Sequence, residues 1–235
     1  MNARDALLRW LERRLEPVDS AWLRERCGKL QGDPSDKIFH VSFGQALRRA
    51  GKGPLALSPE EEAEARAIHP GWDTADWTRD QAARAALLLS LPPGPKTASA
   101  VLALHQTADL GEHVALVRSL FLLPDAGALR HVAREAIRSN MRDVFAAISQ
   151  RNPYPAQHCD DIAWNQMVVK CLFVDLPLAP IYGLDRRANR ELSRILLDLA
   201  RERRAANRPL SEEAWRCIAP FADANGNLKP ENAHA

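Results

Sequence analysis

Apolar side chains recur at helical spacing along most of the chain, and this periodicity constrains the fold more than any other feature of the sequence. Leu7, Leu8, Leu11 and Leu15 are the first example. Apolar residues three or four positions apart share one face of an α-helix, whereas a half-buried strand needs alternating apolar and polar residues. Because no convincing alternation occurs anywhere, we expect an all-α protein.

Prolines, glycines and capping residues divide this pattern into about eleven helices joined by short loops. Ser58 precedes Pro59 and two glutamates, which predicts a capped helix start with acids near the positive end of the helix dipole. Ser211 begins the last helix in a similar way. Either Asp185 or Asn189 caps the helix before it.

The apolar residues from 129 to 148 keep one helical phase, so they predict a single long helix, with Ser139 and Asn140 as the site of any kink. Asn140 falls on the apolar stripe of this helix. A buried amide must find hydrogen-bond partners or cost about 1–3 kcal/mol. The simplest interpretation is a structural amide that joins two helices.

Short connections favour antiparallel neighbours, which predicts stacked helical hairpins. The stack is either an irregular α-solenoid or a compact orthogonal bundle, since no clean repeat is visible. We expect one helical domain over residues 1–222 and a flexible tail over 223–235. The Pro92-Pro93-Gly94-Pro95 segment either separates two halves or joins two helices of one stack.

Charge and composition exclude several classes of protein. Thirty-two basic and 30 acidic residues give a net charge of +2, without the basic excess usual in nucleic-acid-binding proteins. No apolar run approaches the roughly 20 residues of a membrane-spanning helix, and charges interrupt the N-terminal region. The four cysteines form no CxxC pair. We therefore expect a soluble, cytoplasmic protein with no integral membrane segment and no nucleic-acid partner.

The densest set of polar side chains in an apolar context lies between Arg138 and Asn189. Lys170 is flanked by apolar residues, with Gln166 one turn before it on the same helix face. Lysines in such positions usually extend to water, and we favour that interpretation. The alternative is an ammonium inside a pocket, facing an anion or a carboxylate.

Residues 183–189 read Gly-Leu-Asp-Arg-Arg-Ala-Asn, a turn followed by a helix start. Backbone amides at a helix start bind anions, and the two arginines add donors. Spacing alone favours the simpler interpretation, in which Asp185 and Asn189 are caps and the arginines form surface ion pairs.

Metal and cofactor sites are not predicted. His105, Asp109 and His113 are spaced four apart, but Gly111 indicates that the helix breaks between them. Residues 158–161 place four ligand types in a row, and neighbours in a row point to different sides. No glycine-rich phosphate loop, serine elbow or HExxH motif occurs, so we expect no metal and no cofactor.

Taken together, the motifs of the C-terminal half resemble the EboA family. The residues that carry the resemblance are Arg138-Ser139-Asn140, Val144-Phe145, Arg151-Asn152-Pro153-Tyr154-Pro155, Trp164-Asn165-Gln166-Met167-Val168, Lys170, Leu172-Phe173-Val174 and the whole of 183–189. Earlier matches are Gly71-Trp72-Asp73, Trp77-Thr78, Asp80-Gln81-Ala82-Ala83-Arg84, Ala108-Asp109, Glu112 and Val114-Ala115-Leu116; later ones are Trp215-Arg216 and Pro220-Phe221. The first 60 residues match only loosely.

The resemblance implies a bacterial protein encoded in a gene cluster for a secondary metabolite. Companion proteins in such clusters resemble a UbiA-type prenyltransferase, a TatD-like hydrolase, a dehydroquinate-synthase-like cyclase and a sugar-phosphate-isomerase-like protein. The family is described as metabolite traffic proteins, linked to moving a pigment precursor toward the periplasm. It supplies a pathway and no catalytic residues.

Three functions follow as hypotheses. The first is an escort that binds a small anionic or prenylated metabolite between helices through Arg138, Asn140, Arg151, Asn152, Trp164, Asn165, Gln166, Lys170, Asp185, Arg186 and Asn189. The second is an enzyme of the same pathway, with Asp160, Asp161 or Asp185 as base and Lys170 or an arginine as electrostatic stabiliser. The third is a scaffold for other proteins of the gene cluster, which predicts that these polar residues lie scattered and exposed.

Overall fold

The computed structural model describes residues 2–32, 36–205, 207, 209–223 and 227–229. Within these ranges the chain is all-α, as predicted. Its helices are α1 (Ala3–Glu12), α2 (Pro17–Gly32), α3 (Asp36–Ala50), α4 (Pro59–Ile68), α5 (Arg79–Leu88), α6 (Pro95–Thr107), α7 (Leu110–Ser119), α8 (Arg130–Arg138), α9 (Arg142–Ser149), α10 (Tyr154–His158), α11 (Asp161–Phe173), α12 (Arg190–Ala205) and α13 (Glu212–Ile218). They form a compact bundle, the second of the two predicted architectures.

The single long helix predicted over 129–148 is wrong, because the chain breaks between α8 and α9. The backbone leaves the helical conformation at Ser139, and Asn140 is exposed in the turn rather than buried on an apolar stripe. The Lys170 ammonium donates to the carbonyl oxygens of Ile137 (2.8 Å) and Ser139 (2.7 Å). A side chain distant in sequence thus supplies hydrogen bonds at the end of α8, which local periodicity could not reveal.

Several predicted helix starts are confirmed by their hydrogen bonds. Ser58 and Glu61 form a reciprocal capping box at α4, with Pro59 as the first helical residue. Ser211 caps α13. Of the two residues considered for α12, Asn189 is the cap: its Oδ1 accepts from the Leu192 amide at 2.9 Å. Asp185 instead begins a short 3₁₀ turn.

Helix α5 is central to the N-terminal half and packs against α1, α2, α3 and α7. Helix α7 lies between α5 and α9, and α9 also contacts α8 and α11. At the far end, α12 packs on α11 and α13. This arrangement places α11 and α12 at the surface with a groove between them.

Aromatic packing joins the first helix to the middle of the chain. The rings of Trp10 and Trp72 are 5.3 Å apart, and Trp72 also contacts Trp77 and Phe121. All four residues are buried. Offset and tilted ring pairs of this kind stabilise a core beyond the area they bury.

Buried residues on both sides of the 92–95 segment belong to one hydrophobic cluster. The extent of the domain, 1–222, stays a prediction. Within the predicted tail, residues 224–226 and 230–235 lie outside the described residues. Leu228 forms an isolated bridge with Ala222. In the described ranges, no helix is both long and apolar enough to span a bilayer.

Candidate functional site

A groove of about 430 Å³ lies between α11 and α12. Its apolar walls come mainly from α11. Two of them, Ile162 and Phe173, are 71% and 69% exposed, the largest exposures among the exposed large hydrophobic residues described. The lining residues are Ile162, Asn165, Gln166, Val169, Lys170, Phe173, Glu191 and Ile195.

The sequence of α11 explains this surface, because the helix is apolar on two sides. One side, with Trp164, Met167 and Val168, is buried in the core. On the other side, Ile162, Val169 and Phe173 are spaced seven and four residues apart, which places them on one stripe. A surface helix normally presents polar residues there. An apolar stripe facing a groove is typical of a binding surface.

Asn165 and Asn189 connect the two helices beside this groove. The Asn165 amide donates to Asn189 Oδ1 at 3.1 Å, and the Asn189 amide donates to Asn165 Oδ1 at 2.8 Å. Asn189 Oδ1 also caps α12 through Leu192. These bonds fix the start of α12 relative to α11 and use much of the hydrogen-bonding capacity of both amides.

Lys170 is half-buried at the groove, and its ammonium donates to two backbone carbonyls. Besides its two backbone carbonyl acceptors, it lies 4.5 Å from the centre of the Phe145 ring. Burial lowers the pKa of Lys170. The charge is therefore stabilised by carbonyl dipoles and an aromatic face.

Among the other predicted site residues, Arg138 lies in a hollow next to the groove, whereas Asp185 and Arg186 lie on the exposed surface away from it. Arg138 and Gln166 line a neighbouring hollow of about 160 Å³ together with Asp160. Asp185 is exposed and pairs with Arg216 at 3.2 Å. Arg186 is exposed, with its guanidinium 5.4 Å from the Tyr182 ring centre.

Two of the predicted residues are enclosed in the core. The Asn152 amide donates to the carbonyls of Val117 and Ala147, at 3.2 and 2.8 Å, and its oxygen accepts from the Tyr154 amide. The buried structural amide predicted at Asn140 is therefore found at Asn152 instead. Trp164 is fully buried, beneath the guanidinium of Arg187.

Arg151 belongs to a separate ion-pair cluster. Its guanidinium contacts Asp73 at 2.6 Å and Asp76 at 3.2 Å, and these carboxylates raise its pKa. The backbone of Arg151 has φ = +52°, which is uncommon for a residue other than glycine.

Of the eleven predicted site residues, three line the groove itself: Asn165, Gln166 and Lys170.

Sequence reasoning missed the groove's apolar walls and the contact between His105 and His113. The signal for the walls was present, since α11 has more apolar residues than one buried face needs. The predicted break near Gly111 is confirmed, and it brings His105 Nδ1 within 2.7 Å of His113 Nε2. Both line a cavity of about 390 Å³ that also includes His131 and Glu135.

The described residues contain no group of three or more histidine, cysteine, aspartate or glutamate side chains placed to hold a metal ion. Burial raises the pKa of each of the four cysteine thiols to about 11, which leaves them protonated at neutral pH.

A family model described as metabolite traffic protein EboA matches residues 3–219. This chain belongs to the EboA family. The match includes all thirteen helices described above, and with them the α11–α12 groove. Comparison of this EboA protein with curated proteins and with solved structures gave no match.

Proposed function

We propose that this EboA protein binds and escorts a small, largely apolar metabolite in the groove between α11 and α12. The observation that carries the proposal is the exposed stripe of Ile162, Val169 and Phe173 along that groove. The pathway we propose is bacterial secondary metabolism in the cytoplasm, with other proteins of the gene cluster as partners.

The size and composition of the groove suit such a ligand. Small-molecule sites in proteins are typically about 300–1,000 Å³, mostly apolar, with a few polar groups that orient the ligand. The groove falls in this range and has Asn165, Gln166 and Lys170 beside its apolar walls. Enclosing Ile162 and Phe173 under a ligand would remove apolar surface from water, which stabilises binding by about 25 cal/mol per Å².

The groove favours a prenylated ligand over an anionic one. An anion would need a cation with free donors, and two of the donors of Lys170 are directed to the carbonyls of Ile137 and Ser139. Among the described lining residues, the only other charged one is Glu191, an acid paired with Arg194 at 2.7 Å, so the lining has no excess positive charge for an anion. An isoprenoid chain has no such requirement and fits apolar walls.

The enzyme alternative has less support at this groove. Asp160 pairs with Arg134, Asp161 with Arg187 and Asp185 with Arg216. The backbone amide of Ala163 lowers the pKa of Asp160, and Arg194 lowers that of Glu191. A general base works best with a pKa near the working pH, so these shifts weaken both carboxylates as bases.

The scaffold alternative is favoured by one observation, because the exposed residues Asn140, Asp185 and Arg186 lie away from the groove. Purification of tagged protein from its own host would test it. Co-purification of gene-cluster proteins that persists after substitution of the groove walls would support a scaffold surface elsewhere on the molecule.

Displacement of a neutral fluorescent probe tests the proposed ligand class. N-phenyl-1-naphthylamine brightens when it enters an apolar site, and geranylgeraniol and glucose 6-phosphate serve as competitors. The proposal expects saturable probe binding that geranylgeraniol reverses and glucose 6-phosphate leaves unchanged. The matched variants are Ile162→Ser with Phe173→Ser in the groove, and Val18→Ser with Val41→Ser on the exposed surface elsewhere.

Loss of probe binding in the groove variant, with binding retained in the control variant, supports the site. Equal binding by both variants contradicts it, because the probe would then be bound elsewhere. Displacement by glucose 6-phosphate and not by geranylgeraniol would contradict the proposed ligand class.

A further inference from the structure

A second cavity, of about 640 Å³, lies where the end of α3 meets the first turns of α5, α7 and α9. It shares no lining residue with the α11–α12 groove. In contrast to that groove, its lining is rich in polar and charged groups: Leu47, Lys52, Thr78, Asp80, Gln81, Arg84, Asp109, Leu110, Gly111, Val114, Arg118, Asp143 and Ala146.

One arginine of this cavity is already neutralised. Arg84 is 1% exposed, and its guanidinium contacts the Asp80 carboxylate at 2.7 Å. Its Nε donates to the carbonyl of Phe43 at 3.1 Å. A buried ion pair with additional hydrogen bonds is a structural feature that needs no ligand.

Arg118 differs from Arg84 in having no such partner. Among the described residues, no hydrogen bond or ion pair reaches its guanidinium, although its side chain is half-buried and its Nε is enclosed. Asp73 and Asp76 lie close enough to influence it, but their carboxylates pair with Arg151. A half-buried guanidinium that makes no direct hydrogen bond or ion pair can still donate, so its position in a cavity favours an anion there.

We propose that this cavity binds a small polyhydroxylated molecule bearing an oxyanion, a phosphate or a carboxylate, with Arg118 contacting the oxyanion. This site goes beyond the proposed escort function and does not depend on it. The guanidinium offers several donors in a plane, which matches the oxygen atoms of either group.

The rest of the lining supports this ligand class. The first turns of three helices, α5, α7 and α9, meet at the cavity, and Asp80, Asp109 and Asp143 already place carboxylates at their positive ends. Lys52 is exposed at the lining and adds a second cation. Asp109 and Asp143 can accept hydrogen bonds from hydroxyl groups, which is why the ligand that we propose carries hydroxyl groups beside its oxyanion.

Gly111 leaves part of this space open. A Cβ at this position would lie 3.7 Å from Arg84 Nη1 and 3.5 Å from Asp109 Oδ1, both ordinary contacts. A larger side chain at position 111 can therefore extend toward the cavity, because its Cβ would not clash with neighbouring atoms. Gly111→Leu fills space while leaving Arg118 in place.

Thermal unfolding with inorganic phosphate as the probe tests the site. Phosphate is titrated against chloride at constant ionic strength, on wild type, Arg118→Met and Arg142→Met. Arg142 is an exposed arginine at the start of α9 and does not line the cavity. At ten times Kd, binding of one phosphate raises Tm by about 3–6 °C.

The proposal expects a saturable rise in Tm for wild type and Arg142→Met and none for Arg118→Met. No saturable response in wild type, or an equal response in Arg118→Met, overturns it. If Arg118→Met does not fold, Gly111→Leu decides: loss of the response supports the site, and an unchanged response overturns it. Neither result bears on the apolar groove, because binding there is measured separately with N-phenyl-1-naphthylamine.

Discussion

Asn165 and Asn189 form a reciprocal pair of side-chain amides, with N–O distances of 3.1 and 2.8 Å, that joins α11 to the cap of α12. Replacing either residue with alanine leaves a partly buried amide without its partner. We expect each single variant to lose about 1–3 kcal/mol of unfolding free energy. The double variant should lose less than the sum, because the second substitution removes the orphaned partner.

Urea unfolding of the two single variants and the double variant gives the coupling energy. Additive losses would contradict a direct interaction between the two amides. This structural role also makes Asn165 a poor position at which to test ligand binding.

Lys170 should stabilise the fold through the end of α8. Lys170→Met removes the donor to the carbonyls of Ile137 and Ser139, and we expect a loss of about 1–3 kcal/mol in unfolding free energy. Lys29→Met is the control, since Lys29 pairs with Glu25 on the surface and should cost about 1 kcal/mol or less. Equal effects of the two substitutions in chemical denaturation would refute this role for Lys170.

The Asp80–Arg84 ion pair should be sensitive to the loss of one partner. Arg84→Met leaves a buried carboxylate without its counter-charge, and such changes cost about 3–5 kcal/mol. The exposed pair of Arg201 and Asp198 offers a comparison, because Arg201→Met should change stability by about 1 kcal/mol at most. Calorimetry that finds Arg84→Met as mild as Arg201→Met would show that Asp80 does not depend on this arginine.

The His105–His113 pair should make stability depend on pH. Burial lowers the pKa of both imidazoles below the ordinary value of 6.5. The unfolded chain therefore binds protons below pH 6.5 that the folded chain does not, so stability falls as pH drops from 6.5 toward the folded pKa values. The stability that the neutral imidazoles of His105 and His113 contribute is fully present above pH 6.5.

Unfolding free energies at pH 7.5 and 5.5 test this, with wild type compared with a His105→Gln, His113→Gln variant. The variant should lose less stability at pH 5.5, although burial also lowers the pKa of His69 and His158 and leaves some pH dependence in both proteins. The same loss in both proteins would contradict the assignment.

Local signals in the sequence were sufficient for the helical class and for many helix starts. Ser58, Ser211 and Asn189 cap helices through bonds to residues three positions away, which the sequence shows directly. The break at Ser139 could not be found in this way. It involves hydrogen bonds from Lys170, about thirty residues later, and the apolar phase continues across it.

The candidate site was less predictable for a related physical reason. The predicted site residues are close together in the sequence, but the fold separates them. Arg151 forms an ion pair with Asp73, whereas Asn152 is buried in the core. Adjacent residues on an irregular segment point in different directions, so sequence proximity did not become spatial proximity. The apolar stripe of α11 was visible as excess hydrophobicity, but its exposure depends on where α12 packs.

Mass spectrometry of small molecules retained by the purified protein tests whether the groove between α11 and α12 holds a metabolite. The protein is purified from its native host, as wild type, as the Ile162→Ser, Phe173→Ser variant, and as the Val18→Ser, Val41→Ser control. We predict an apolar, prenylated molecule retained by the wild type and the control and lost from the groove variant. Retention of the same molecule by all three proteins would contradict the groove as the binding site.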